Sequence, residues 1–168
     1  MISWQFFPKS RKIPEHLLKV VRVFDEFEVE ISSKYKNLNS NEVLECLRLG
    51  LEKIDFVVEK SKKAEEKISV PVLFGLNGKP EKYFEADGYS FVNKTVIEVE
   101  AGRAVTNYQF LKDLFQACMM YDIDYLIIAV RQTYSGNKDF EKVINFIDTL
   151  YTSGRLSLPL NGILIIGY

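Results

Sequence analysis

Carboxylates crowd one short stretch of the sequence, FEADGYSFVNKTVIEVEAGR at 84–103. Two β-rich runs, 83–92 and 95–101, flank Asn93-Lys94, which reads as the turn between them. Side chains alternate between the faces of a strand, so Glu98 and Glu100 share a face, as do Glu85 and Asp87 on theirs. A symmetric turn at Asn93-Lys94 predicts Asp87 opposite Glu100 and Tyr89 opposite Glu98. Directly opposed Cβ atoms stand about 4.5–5.5 Å apart and diagonal neighbours about 7–8 Å. The acids therefore meet on one patch. The other face carries Ala86, Val92, Ile97, Val99 and Ala101, an apolar surface for a core.

Like charges opposed across strands destabilise a sheet, and a divalent cation offsets that repulsion. Magnesium prefers oxygen ligands, takes few protein carboxylates, and completes its shell with water and substrate phosphate. Such an ion activates water and stabilises charge on a phosphodiester undergoing displacement. The competing reading is a solvated acidic strand face with scattered lysine partners. Spacing alone leaves both open.

Other chemistries lack their residues. His16 is the single histidine, and no GxSxG string occurs, so hydrolysis through an activated Ser or Cys has no triad to draw on. Cys46 and Cys118 lie far apart in apolar helical patterns without a CxxC pair, which reads as core packing rather than a zinc site or disulfide framework. Gly75-Leu76-Asn77-Gly78 is followed by no Gly-Lys-Ser/Thr and reads as a turn, not a phosphate loop. A carboxylate glycosidase needs two acids at a defined separation across a sugar cleft. Acids gathered on one face of a hairpin suit a metal better.

The elements that must position these acids follow from periodicity. Residues 14–27 form an amphipathic helix, with Leu17, Leu18, Val21, Phe24 and Phe27 at three- and four-residue steps. A second helix spans 40–54, opened by Asn39 and Glu42 at capping-box spacing. A short strand at 55–59 and a charged turn at 60–67 follow, the latter containing KKAEEK, whose mixed signs suit a solvated hairpin tip. Residues 68–74 are β-rich. A helix at 106–121 opens with Thr106 and Gln109, again at capping-box spacing, with Leu111, Leu114, Phe115 and Cys118 as its core stripe. The continuous apolar runs YLIIAV and GILIIG, within 124–130 and 162–167, predict strands covered on both faces, with a helix at 138–151 between them. The order predicts an α/β fold, a mixed sheet sandwiched by helices, in a single domain over 1–168.

Composition sets the remaining limits. The chain has 168 residues, 47% hydrophobic, with 12 Phe and 9 Tyr, enough for an ordinary core. No run approaches the roughly 20 apolar residues of a membrane span, and the start has no signal-peptide core. A soluble cytoplasmic protein is expected. The net charge of −1 neither advertises nor excludes nucleic-acid binding, because acids collected at one site lower the total.

Asp87, ten residues, then Glu98-Val99-Glu100 resembles the PD-(D/E)XK nuclease signature. It is most similar to the BamHI/BglII-type restriction endonuclease subgroup, where Glu or Gln can replace the usual lysine. The likeness continues through Ala101-Gly102-Arg103 and 107–114 to the strand at 125–130, and lays the nuclease core on about 40–168. It departs in two places. Ala86, not Pro, precedes Asp87, and Glu100 stands where lysine is usual.

The resemblance implies a restriction endonuclease-like fold and Mg²⁺- or Mn²⁺-dependent hydrolysis of DNA, with a homodimer cutting both strands. Asp87 and Glu98 would hold the metal, and Glu100 would orient or deprotonate the attacking water. Relatives add an acid from the first core helix, for which Glu42 or Glu45 is available. Glu85 is an outer acid or a surface residue, and Lys112 a substitute for the missing lysine or a surface residue. Arg103, Thr106 and Asn107 open the helix after the acidic strand, where N–H groups and the macrodipole favour phosphate. Residues 134–137 and Arg155 fall in loops that DNA could reach. A non-catalytic DNA-binding or protein-interaction module on the same fold is the alternative. It would keep its partner in chelator and after Asp87→Ala.

Overall fold

Parallel strands need a crossover between them, and the alternation of apolar runs with amphipathic helices supplies it. The computed structural model of the chain describes residues 1–60, 66–102 and 104–168. Strands β6 (Thr95–Glu100), β7 (Tyr125–Val130) and β8 (Gly162–Gly167) lie side by side and parallel. Helices α4 (Gln109–Met119) and α5 (Asp139–Ser153) cross between them.

Alternate residues of the central strands enter two cores. Ile127, Ala129, Leu164 and Ile166 face one, and Leu126, Ile128, Ile163 and Ile165 the other. The first core is capped by α1 (Glu15–Glu26) and α3 (Ser40–Glu52), and the second by α4 and α5. A short helical turn, α2 (Glu28–Ile31), follows α1. Each fully covered Ile or Leu contributes about 1.5–3 kcal/mol relative to exposure. Burial on both faces accounts for the unbroken apolar runs.

The sheet is completed by antiparallel neighbours. Strand β1 (Ser3–Phe7) pairs with β8, while β5 (Gly88–Ser90) pairs with β6 and β2 (Val57–Val58) with β5. The six-stranded order is β1-β8-β7-β6-β5-β2, and β3 (Ile68–Phe74) with β4 (Pro80–Ala86) form a separate two-stranded sheet. No described helix is long and apolar enough to cross a membrane.

Several local expectations change. The run expected as one strand at 83–92 divides at Asp87, because β4 pairs with β3 while β5 pairs with β6. The turn to β6 spans 91–94, so Ser90 opposes Thr95 and Tyr89 opposes Val96 rather than Glu98. Val92 consequently sits exposed in that turn, and Ala86 joins the opposite core from Ile97 and Val99. The Thr106 capping box does not form: Thr106–Tyr108 is a 3-10 turn, Asn107 and Tyr108 are left-handed, and α4 begins at Gln109. The buried residues of α4 are Phe110, Asp113, Leu114 and Ala117, while Phe115 lies half exposed.

The Asn39 capping box does form. Asn39 Oδ1 accepts the Glu42 N–H at 3.1 Å, and Glu42 Oε2 accepts the Asn39 N–H at 2.7 Å.

Candidate metal centre and acidic cleft

Asp87 stands where the chain passes from one sheet to the other. The β5–β6 ladder ends with Gly88 opposite Ile97. The Asp87 side chain supplies the next acceptor, its Oδ2 taking the Val99 N–H at 2.7 Å. The Asp87 carbonyl accepts the Glu59 N–H at 2.8 Å, which fixes the end of β2 to the same point. An unpaired N–H inside a sheet is costly, so this carboxylate closes the local hydrogen-bond account.

Glu98 and Glu100 project from one face of β6, as strand alternation requires. They meet helix α4 across a cleft of about 520 Å³ that Asp87 also lines. Asp113, only 4% exposed, joins them from the helix. Among the described residues its Oδ2 has no hydrogen-bond partner. Glu59 and Glu85 complete the acidic lining, against Lys67 and Lys112. Lys67 is paired with Glu85.

This crowding raises the acids. Burial is the largest cause at each, because it disfavours the charged form. Asp87 moves up to about 6, with Glu59 and Asp113 adding repulsion and the Val99 hydrogen bond opposing. Glu98 is pushed well above the usual carboxylate range by burial and then by Asp87, Asp113 and Glu100. Burial, Asp113 repulsion and a hydrogen bond to Asp113 bring Glu100 up to about 8. Asp113 is raised by its burial, opposed by that same bond and by Lys112.

The structure brings together Asp87, Glu98 and Glu100, but the Glu42 carboxylate is engaged at the start of α3 and does not line the cleft. Glu45 is exposed and also absent from the lining. Ser40 and Asn41, from the same helical turn, reach it instead. Thr106 and Asn107 are exposed on the 3-10 turn and do not line the cleft, whereas Gln109 and Lys112 do. Arg103 lies outside the described residues, as does most of KKAEEK. Tyr134 packs its ring over Gly102 and under the Arg131 guanidinium, 5.2 Å from the ring centre.

Sequence reasoning missed Asp113 and Glu59. A signal for Asp113 was present: it lies three residues after Phe110 and four before Ala117, so a carboxylate sits on an apolar stripe. Glu59 has no such signature, since its place depends on the β2–β5 pairing.

Among the described residues, no three Asp, Glu, His or Cys side chains stand as a ready-made metal cage. The donor set is nonetheless all oxygen, carries an excess of negative charge and includes an unpartnered buried carboxylate oxygen. Those properties fit a hard cation bound through one or two carboxylates with water completing its shell.

The fold is restriction endonuclease-like, a mixed sheet flanked by helices. The chain is similar to the crystal structure of free BglII, with a TM-score of 0.50 and 11% sequence identity, over 99% of this chain and 78% of that one. No family model matches the sequence, and no curated protein matches it.

Proposed function

We propose that the acidic cleft hydrolyses DNA phosphodiester bonds, making the chain a Mg²⁺- or Mn²⁺-dependent endonuclease. One observation carries this reading: Asp87, Glu98 and Glu100 line a single cleft on a fold shared with BglII. Asp87 and Glu98 would hold the cation, which when bound polarises the scissile phosphate and acidifies water.

The chain's own residues do the rest. Asp87 is held in place by Val99, and β6 places Glu98 and Glu100 on a common face. Glu100, whose carboxyl the cleft raises to about 8, would orient the attacking water and take its proton once a bound cation has driven off its own. Lys112, at the exposed rim, presents positive charge to an incoming phosphate. Two copies, each owning one cleft, would cut both strands.

The test is incubation of purified protein with supercoiled, linear, branched and single-stranded DNA in Mg²⁺ or Mn²⁺. An Asp87→Ala/Glu98→Ala double variant runs alongside. Nicking by the wild type alone is expected, and equal nicking by both proteins overturns the assignment.

Among the described residues no three acids stand as a ready-made cage, which favours a second reading, a non-catalytic DNA-binding or protein-interaction module. It predicts DNA or partner affinity that survives chelator and Asp87→Ala, with no cleavage under any condition.

A further inference from the structure

Beside the acidic cleft lies a second hollow of about 410 Å³, and the two share Ser40 and Glu100 in their walls. Its other walls include Asn37 and Asn39, at the entry to α3, and Arg131 and Tyr134, after β7. Arg131 is only 6% exposed. Its guanidinium donates to Asn37 Oδ1 at 2.7 Å and to the Leu38 carbonyl at 2.6 Å, and lies over the Tyr134 ring. The Tyr168 hydroxyl beside it is kept in its neutral form by burial. All of these partners are uncharged. Asp139 feels the Arg131 charge, yet no described carboxylate forms an ion pair with it. A buried cation without a matching anion is costly.

We propose that this hollow binds a backbone phosphate of the DNA, next to the one at the acids, with Arg131 supplying the opposite charge. The inference rests on the nuclease reading of the neighbouring cleft and adds a substrate contact outside it. A guanidinium has five N–H donors in a planar fork, more than these neutral partners use, and the fork matches phosphate oxygens. Phosphate suits the hollow better than a base does. The Tyr134 ring is already engaged by the guanidinium and by Gly102, so it is not presented for stacking. Because hollow and cleft meet at Ser40 and Glu100, a strand with its scissile phosphate at the acids would pass its next phosphate to Arg131.

Asn37→Asp tests this without altering the arginine. The added carboxylate stands where Asn37 Oδ1 already accepts from Arg131. It neutralises the guanidinium in place, and the melting temperature should hold or rise. Binding to a fluorescein-labelled DNA duplex is followed by anisotropy in chelator, from about 50 to 200 mM salt. Affinity should fall about ten-fold or more. The slope of log affinity against log salt should flatten by about 0.9, the share of one phosphate contact. Arg131→Gln should show the same two losses where it folds. Asn145→Asp, the same charge change on α5 at a residue lining neither hollow, should show neither.

Unchanged affinity and slope in folded Asn37→Asp overturn the inference, as do equal losses in Asn145→Asp. A wild type that ignores the duplex even at the lowest salt overturns it too. Plasmid nicking in Mg²⁺ by the same proteins, beside Asp87→Ala, decides the nuclease reading separately. Nicking that needs Asp87, with duplex binding indifferent to Asn37→Asp, keeps the nuclease and removes the phosphate pocket. The expected binding losses without any nicking uphold the pocket and refute the nuclease.

Discussion

Asp87 Oδ2 accepts the Val99 N–H at 2.7 Å, so the first acid of the cleft is stapled to the middle of the Glu98-Val99-Glu100 strand. The bond extends the β5–β6 ladder by one side-chain link beyond Gly88 and Ile97. It explains how an acid at the break between two sheets is held beside acids on a central strand. One of its carboxylate oxygens is thereby committed to the fold.

Removing charge and removing the acceptor should therefore have different effects at this position. Asp87→Asn keeps an oxygen for Val99 and relieves repulsion, so its metal-free stability should equal or exceed that of the wild type. Asp87→Ala orphans a buried N–H and should cost about 1–3 kcal/mol. Both should lose metal-dependent nicking. Chemical denaturation and a plasmid assay check the pair, and equal destabilisation by both variants would deny the staple.

The raised acids make stability depend on pH in a defined direction. An unfolded chain releases carboxyl protons near pH 4, whereas the folded protein holds those of Asp87 and Glu100 to about 6 and about 8. The folded state thus binds more protons across that window. Stability is full below the unfolded value and is lost as pH rises through the folded ones. For Asp87 alone the loss is roughly 3 kcal/mol at most. The melting temperature of the metal-free protein should fall between pH 5 and 8.5, and saturating Mg²⁺ should flatten that fall. A melting temperature that climbs over the same range in chelator contradicts the buried-acid geometry.

The long apolar runs, the strand at 68–74 and the Asn39 capping box were legible because each is a local pattern with one stable solution. The convergence of Asp87, Glu98 and Glu100 was legible too, since strand alternation survives a change of register. The pairing partners were not. The turn at 91–94 and the sheet change at Asp87 depend on β3 pairing with β4, which no property of 83–92 announces. Likewise Ser3–Phe7 became a strand only because β8 offers it an edge. Helix α4 was misread by one position around its circumference. That rotation put Phe115 in the core and hid Asp113, the acid the cleft receives from the helix.

Glu42 provides a test of where the site ends. Its carboxylate accepts the Asn39 N–H and does not line the cleft, so its work is local. Asn39→Ala should cost about 1 kcal/mol through loss of the cap. Glu42→Gln retains an acceptor and should change stability by a few tenths of a kcal/mol. Nicking should be unaffected by Glu42→Gln. Abolished cleavage by a folded Glu42→Gln protein would return this residue to the catalytic set.

Gly102 follows the acidic strand at a φ of +105°, and a Cβ there would meet Tyr134 Cε2 at 2.5 Å. Gly136 has a φ of +79° but open space around it. Gly136→Ala should therefore cost only its backbone strain, about 1–3 kcal/mol. Gly102→Ala should cost more, because the Tyr134 ring must also leave Arg131. Urea midpoints of the two variants give the comparison, and a smaller loss at Gly102 would mean the ring contact is dispensable.

Lys112 acts on the cleft through charge rather than contact. It is exposed, and its ammonium opposes the raised pKa of Asp87, Glu98, Glu100 and Asp113 alike. Lys112→Gln should raise all four further, so the metal-free variant loses more stability than the wild type as pH climbs past 6. At pH 4, well below the values of Asp87 and Glu100, the gap between the two proteins should shrink. Solvent screening limits the gap at pH 8 to about 1 kcal/mol or less in low salt. Raising the ionic strength to about 1 M shortens the screening length to roughly 3 Å and should close most of it. A gap that persists at pH 4 or in high salt would mean that the lysine stem packs against the cleft, and that loss of packing rather than of charge weakens the variant.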